Sequence, residues 1–396
     1  MLRFSTAGES HGEALIALLS GVPAGLEIDF AFLDRELWRR QQGYGRGGRM
    51  RIEKDAAHIL SGVRHGKTIG SPITLQIANA DWKNWTEALP VEPGDPEKHM
   101  KVKSPRPGHV DLAGALKFNF PEARYVLERA SARESCARVA AGTVAKLLLR
   151  SLQMDVLSHV VQVGAAVLPD DVSVTWDQLA TLHANNEVLL NCADSAIEQR
   201  MKAEVDAILR TGDTVGGVFE VVAHGCPPGL GTCANWDERL DARLAGAVMS
   251  LQAVKAVEIG RGVRAAASIG STVHDAIGYK KSDAVEGEFT RFTREHNNAG
   301  GIEGGISNGE DIIVRGYLKP ISTLRRPLPS VDFDTREAVQ AAYERSDVCV
   351  VPAAGVAAEA MVALTIAQAV LEKFGGDSMV ELERNFIGYK DQLKRF

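Results

Sequence analysis

Cysteine is scarce and without pattern. Cys136, Cys192, Cys226, Cys233 and Cys349 are odd in number, scattered, and never spaced Cys-x-x-Cys, so neither a disulfide framework nor a structural zinc motif is signalled. Cys226 and Cys233 beside His224 come nearest to a metal cluster, but buried free thiols account for them as well, and no metal is assigned. A surplus of positive charge is also missing: 45 Lys and Arg stand against 51 Asp and Glu, for a net charge of −6. That argues against the broad cationic face that a phosphate backbone requires, and so against nucleic acid as a partner. Met1-Leu2-Arg3-Phe4-Ser5-Thr6 has no basic stretch leading into a long apolar run, and no later segment reads as apolar over the ~20 residues that cross a bilayer. The expectation is a cytoplasmic protein with no membrane partner. What remains is an ordinary globular composition, 45% apolar and 24% charged over 396 residues, enough for a large core.

Comparing the chain with itself reveals short correspondences in the same order. Gly21-Val22-Pro23-Ala24-Gly25-Leu26 before Asp34-Arg35-Glu36-Leu37 matches Gly225-Cys226-Pro227-Pro228-Gly229-Leu230 before Asp237-Glu238-Arg239-Leu240. Gly62-Val63-Arg64 with Ile69-Gly70-Ser71 returns as Gly262-Val263-Arg264 with Ile269-Gly270-Ser271. Glu128-Arg129-Ala130-Ser131 and Glu344-Arg345-Ser346-Asp347 each open an Ala-rich stretch. We read one domain, 1–396, built of two pseudo-repeat halves (about 1–160 and 215–396) and joined by a polar, helix-rich connection, 165–213. Helical spacing through Val139, Val144, Leu147 and Leu148, and through Met361, Val362, Leu364, Ile366 and Val370, predicts two long buried helices. The β-branched runs 73–77, 218–222 and 312–317 predict strands. The class is α+β, with helices packed on sheet faces.

Two glycine motifs are decoys. Gly43-Tyr44-Gly45-Arg46-Gly47-Gly48 satisfies G-x-G-x-x-G, but follows a charged, helix-like stretch where a dinucleotide fingerprint must follow a strand. Gly62 to Thr68 is one residue short of a P-loop and reads as a plain turn.

The remaining motifs carry chemistry. Arg39, Arg40, Arg46, Arg49 and Arg51 stand among Gly43, Gly45, Gly47 and Gly48 with no acidic residue between them. Such a loop is either a solvated basic turn or a cradle for a small, multiply charged anion, which planar guanidinium forks match. Gly8-Glu9-Ser10-His11-Gly12 and Arg106-Pro107-Gly108-His109 each place an imidazole in a glycine turn, and histidine is the usual group for moving protons near neutral pH. Ser131 and Asp347 either cap helices or mark anion-binding helix starts, each with an arginine close before it. Gly300 to Gly309, ahead of Lys319-Pro320-Ile321-Ser322-Thr323, is either a hairpin turn or a surface for a flat ring, with a cation and hydroxyls for phosphate.

Together Gly8-Glu9-Ser10-His11-Gly12, Arg106-Pro107-Gly108-His109, Ser131-Ala132-Arg133-Glu134, Gly304-Gly305-Ile306-Ser307 with Lys319-Pro320, and Arg345-Ser346-Asp347 closely resemble the chorismate synthase family, in family order and over essentially the whole chain. One departure is Val126-Leu127-Glu128, where some members have a glycine run. The resemblance implies a β-α-β sandwich, a homotetramer, and a 1,4-anti elimination of phosphate from 5-enolpyruvylshikimate 3-phosphate that gives chorismate in aromatic amino acid biosynthesis. It also implies reduced FMN as cofactor, lending electron density transiently, with NADPH or a separate flavin reductase as the source of reduction. By resemblance Arg40, Arg46, Arg49, Arg106 and Arg133 are substrate ligands, with Arg40 and Arg46 also meeting NADPH in forms that use it. His11, supported by Ser10, resembles the proton donor near the leaving phosphate, and His109 the group that supplies a proton to reduced flavin. Asp347, with Ser131, resembles the group assisting proton removal. Arg129, Ala130, Ser131, Gln252, Ala253, Gly304, Lys319, Pro320, Ile321, Ser322, Thr323 and Arg345 resemble flavin contacts, with Glu128 to Ser131 and Glu344 to Asp347 expected to be pseudo-symmetric walls of one site. The competing readings are a flavin reductase or other NADPH oxidoreductase, and an RNA-binding module, which the net charge disfavours.

Overall fold

The computed structural model describes residues 1–47, 54–170, 172–281, 288–344 and 347–396. Two antiparallel sheets frame the molecule. The first contains β1 (Arg3–Ala7), β2 (Ala14–Ser20), β3 (Ala57–Ser61) and β4 (Ile73–Ala78) in the order β1-β2-β4-β3. Period-two patterning decides which face is buried: Leu15, Ala17 and Leu19 of β2 and Ile73, Leu75 and Ile77 of β4 are fully buried, while Thr74 and Gln76 between them are half-exposed. The second sheet contains β5 (Asp155–Val163), β6 (Ala166–Val167), β7 (Gly217–His224), β8 (Val254–Ile259) and β9 (Ile312–Leu318) in the order β8-β9-β7-β5-β6.

Helices α1 (Phe30–Gln41), α2 (Asp111–Phe118), α3 (Arg124–Ala130), α4 (Ser135–Ser151), α5 (Trp176–Ala184), α6 (Ser195–Thr211), α7 (Leu240–Met249), α8 (Val351–Phe374) and α9 (Met379–Arg395) complete the frame. α4 packs on β2 and β4, α8 packs on β5 and β7, and the two helices pack on each other between the sheets. Their approach depends on Gly142, where a Cβ would lie 2.3 Å from that of Ala360. A side chain there would wedge the central helices apart.

The α+β class, both long helices, the three strand runs and the helices of the connection are present as expected. Two expectations need correction. α8 has the length and mean hydropathy (1.7) of a membrane span, so the chain does hold one such stretch, although 89% of its most apolar window is buried inside the molecule. And the repeated Gly-Val-Arg does not repeat a structure: Val63–Arg64 is a strand paired with Lys67–Thr68, whereas Val263–Ala266 is one helical turn.

Candidate active site

The N-terminal turn docks onto α3. The Ser10 backbone N–H donates to the Glu128 carbonyl (2.8 Å), and Ser10 Oγ meets Ser131 Oγ at 3.1 Å. His11 Nδ1 lies 2.9 and 3.1 Å from the two Glu128 carboxylate oxygens, and the His11 backbone N–H donates to the same carboxylate. The imidazole stacks on Trp85, with ring centroids 4.0 Å apart. Burial pushes the Glu128 carboxyl upward, but the hydrogen bonds from His11 and the Arg124 charge outweigh it and hold its pKa below the usual carboxylate value. Arg124 also reaches Glu344 at 3.0 Å, which brings Glu344 near the Glu128 carboxylate, while Arg345 lies outside the described residues.

A second cluster lies at the end of α1. Asp55, fully buried, takes Arg40 on one oxygen and Arg133 on the other. Its pKa is lowered because the two guanidinium charges overcome burial. Arg133 Nε donates to Asn79 (2.9 Å). Arg40 Nη1 reaches Ser135, but its Nε is buried without a hydrogen-bond partner. Leaving such a donor unmade costs about 1–3 kcal/mol, a strain that a bound anion would relieve. Arg46 pairs with Asp347, which also accepts from the Gly47 backbone N–H. Asp347 precedes α8 rather than capping it, since the residue flanking that helix is Val350. The arginine loop is clamped by the connection: the Tyr44 hydroxyl donates to Asp206 (2.6 Å), the Tyr44 N–H to the Leu189 carbonyl, and a Cβ on Gly45 would lie 2.9 Å from Val205. Arg49 and Arg51 lie outside the described residues.

The third cluster surrounds His109. Its Nδ1 contacts the fully buried Asp111. Arg106 engages the same carboxylate through Nε (2.8 Å), Nη2 (3.0 Å) and its backbone N–H, and reaches the Thr323 hydroxyl at 2.9 Å. Burial raises the Asp111 pKa, yet the His109 and Arg106 contacts bring it well below the ordinary value. Arg106 therefore spends most of its fork holding this turn, with less of it available to a substrate than the sequence suggests. Lys319 donates to the Gly108 carbonyl, and its backbone N–H donates to the carbonyl of Ala253. The Ile321 carbonyl accepts from Thr214. Ala253 has φ +68°, uncommon for a residue with a Cβ. Gln252 donates to Glu134 at the foot of α4, which links this cluster to Ser131 and Arg133.

The phosphate of an anionic cofactor would suit this last group. Burial and the neighbouring Lys255 both lower the Lys319 pKa, and no carboxylate offsets them among the described residues. That leaves a lysine pair with the Ser322 and Thr323 hydroxyls, a donor set short of an anion. Of the expected flavin contacts, Gln252, Ala253 and Lys319 to Thr323 lie together, beside the α3 end that carries Ala130 and Ser131. Arg129 instead binds the Thr6 and Gly8 carbonyls, securing β1. Gly304 stands apart within this chain, in the two-residue turn between Ile302–Glu303 and Ile306–Ser307. It lies beyond the Ile312 end of β9, and Lys319 follows the other end, seven residues or ~20 Å away. Reading the sequence for arginines and histidines missed the carboxylates Asp55 and Asp111, and placed Glu128 in a site wall without its partner His11. The available signal was that a buried arginine or imidazole needs an acidic partner.

The family model described as chorismate synthase matches residues 2–371. Chorismate synthases from Acidobacterium capsulatum and Koribacter versatilis are 72% and 71% identical to it over the full length of both chains. That of Solibacter usitatus is 60% identical, again over both chains in full. A crystal structure of chorismate synthase superposes with a TM-score of 0.78 at 39% identity, covering 100% of this chain and 99% of that one. A match of this extent in sequence and in fold places the chain in the chorismate synthase family.

Proposed function

We propose that this chain is a carbon–oxygen lyase that eliminates phosphate and a ring proton from 5-enolpyruvylshikimate 3-phosphate, giving chorismate. The observation that carries this reading is the paired Arg40 and Arg133 on Asp55, with Arg40 Nε buried and unpartnered, next to the turn that holds His11. Arg40, Arg46 and Arg133, with Arg49, take the substrate's phosphate and carboxylates, and Arg106 adds the N–H groups that Asp111 and Thr323 leave over. His11 delivers a proton to the departing phosphate, with Ser10 fixing the turn. Asp347 and Ser131 assist removal of the ring proton. His109 supplies and holds a proton beside the cofactor.

Reduced FMN would be held by Ser131, Gln252, Ala253 and Lys319 to Thr323, with Arg129, Ala130, Gly304 and Arg345 as further contacts. When bound, it supplies electron density that weakens the allylic C–O bond and is returned when the reaction completes. The same reading takes the fold as a β-α-β sandwich of two pseudo-repeat halves, the assembly as a homotetramer, the compartment as the cytoplasm, and NADPH or a partner reductase as the source of reduced flavin. The test is anaerobic: protein, chemically reduced FMN and substrate are mixed while chorismate absorbance and free phosphate are followed together. Equal yields of both, with His109→Ala losing about 10²–10⁴ of the rate, support the reading. NADPH oxidation without phosphate release would replace it with the reductase.

A further inference from the structure

Both candidate proton-moving histidines are wired alike. His11 Nδ1 faces the Glu128 carboxylate at 2.9 and 3.1 Å, and His109 Nδ1 faces that of Asp111. Each carboxylate is almost wholly buried, and each is also bound by an arginine: Arg124 at 3.4 Å from Glu128, and Arg106 at 2.8 Å from Asp111. An ionised carboxylate can only accept a hydrogen bond, so the Nδ1 that faces it must donate. At His109, Arg106 Nη2 lies 3.0 Å from Nδ1 and 3.4 Å from Nε2, so the guanidinium does not choose between the ring nitrogens, and the carboxylate contact decides. At His11, no described side chain bonds Nε2, and the Trp85 face holds the ring in plane.

We propose that Glu128 and Asp111 are positioning residues that lock both imidazoles in the Nδ1–H tautomer, so that Nε2 is the atom through which each histidine gives and takes its proton. The two arginines keep the carboxylates ionised. The charges facing His11 are Glu128, with Arg124 and Glu344 behind it. Those facing His109 are Asp111 and Arg106, with Lys319 on the Gly108 carbonyl. A fixed tautomer matters because a ring with its proton on the wrong nitrogen presents a donor where an acceptor is needed.

The inference rests on the proposed roles of the two histidines, but its test does not need turnover. Protonated and bare ring nitrogens have distinct NMR shifts in isotope-labelled histidine, and His11→Gln and His109→Gln identify the two signals. The expected result is Nδ1–H with bare Nε2 at both residues in the unsubstituted protein, once the rings are neutral. Glu128→Gln and Asp111→Asn should each move only their own histidine toward Nε2–H and lower kcat by about 10²- to 10⁴-fold with KM within a few-fold. Asp111→Glu should restore the tautomer and part of the rate. Nε2–H at either histidine in the unsubstituted protein, a reading that needs no variant to fold, overturns the proposal for that residue, as does an amide variant that keeps Nδ1–H. Correct tautomers combined with an active His109→Ala would sink the catalytic roles and leave the wiring standing.

Discussion

Arg39 and Arg40 are neighbours on one helix, equally buried, and face different worlds. Arg39 turns into the space between the central helices and the sheets, where Glu359 takes both of its Nη groups and Glu36 takes one again. Lys146 binds both carboxylates, and Ser158 adds a hydroxyl. Charge balances, and both Nη nitrogens of Arg39 have carboxylate partners. Arg40 turns toward the arginine loop and shares a single carboxylate with Arg133, leaving Nε without a partner. One ion cluster is closed, and the other is one anion short.

The sharpest way to break that contrast is to remove each arginine in turn. Arg39→Ala should destabilise the fold by about 3–5 kcal/mol, because Glu36 and Glu359 would share one cation in an apolar setting. Arg40→Ala should instead lower kcat/KM by about 10³-fold, roughly 4 kcal/mol of transition-state binding, with melting shifted only slightly. Equal melting losses in denaturation scans would erase the distinction.

The closed cluster also carries a pH signature. Burial, aided by the Arg39 charge, pulls the pKa of His183 beside it from 6.5 down to about 4. The unfolded chain then binds a proton that the folded chain refuses, so stability is full above about pH 6.5 and falls as pH drops toward 4. The loss is about 3 kcal/mol, and His183→Asn should flatten that window of a pH–stability curve.

The open cluster should answer to anions. Inorganic phosphate at ten times its Kd should stabilise the protein by about 1.4 kcal/mol, an effect absent from Arg40→Ala and retained in His183→Asn. Smallest of all, Tyr44→Phe removes the hydroxyl that pins the loop to Asp206, for a loss of about 1 kcal/mol and a few-fold rise in KM at unchanged kcat. A kcat effect there would make the clamp part of the chemistry.

Much of this was legible in the sequence. Period two in Ile73-Thr74-Leu75-Gln76-Ile77 gave a strand with one buried face, and the apolar recurrence around Leu364 gave a helix buried on all sides. The turns with His11 and His109 could be picked out because glycine and imidazole are locally distinctive. What separates Arg39 from Arg40 was not legible, because a helix rotates adjacent side chains by ~100° and only distant partners reveal which direction is the core. The partners are remote: Asp55 lies 78 residues from Arg133, and Glu128 lies 117 from His11. The Gly62 and Gly262 similarity misled because three matching residues do not decide between a strand and a helical turn without their surroundings.

The pairing of Arg39 with Glu359 spans 320 residues of chain. At ~5–20 residues per second a ribosome needs roughly 15–60 s to deliver the second after the first. Throughout that interval the nascent polypeptide carries Arg39 with Glu36 but without Glu359, which takes both of its Nη groups, and Asp347, which fastens the loop, arrives only shortly before Glu359. Completion of the Arg39 cluster and of the Arg46 pair with Asp347 is thus among the last events of synthesis, and a messenger truncated before the final helices would yield a chain with every histidine motif in place and neither of those contacts made.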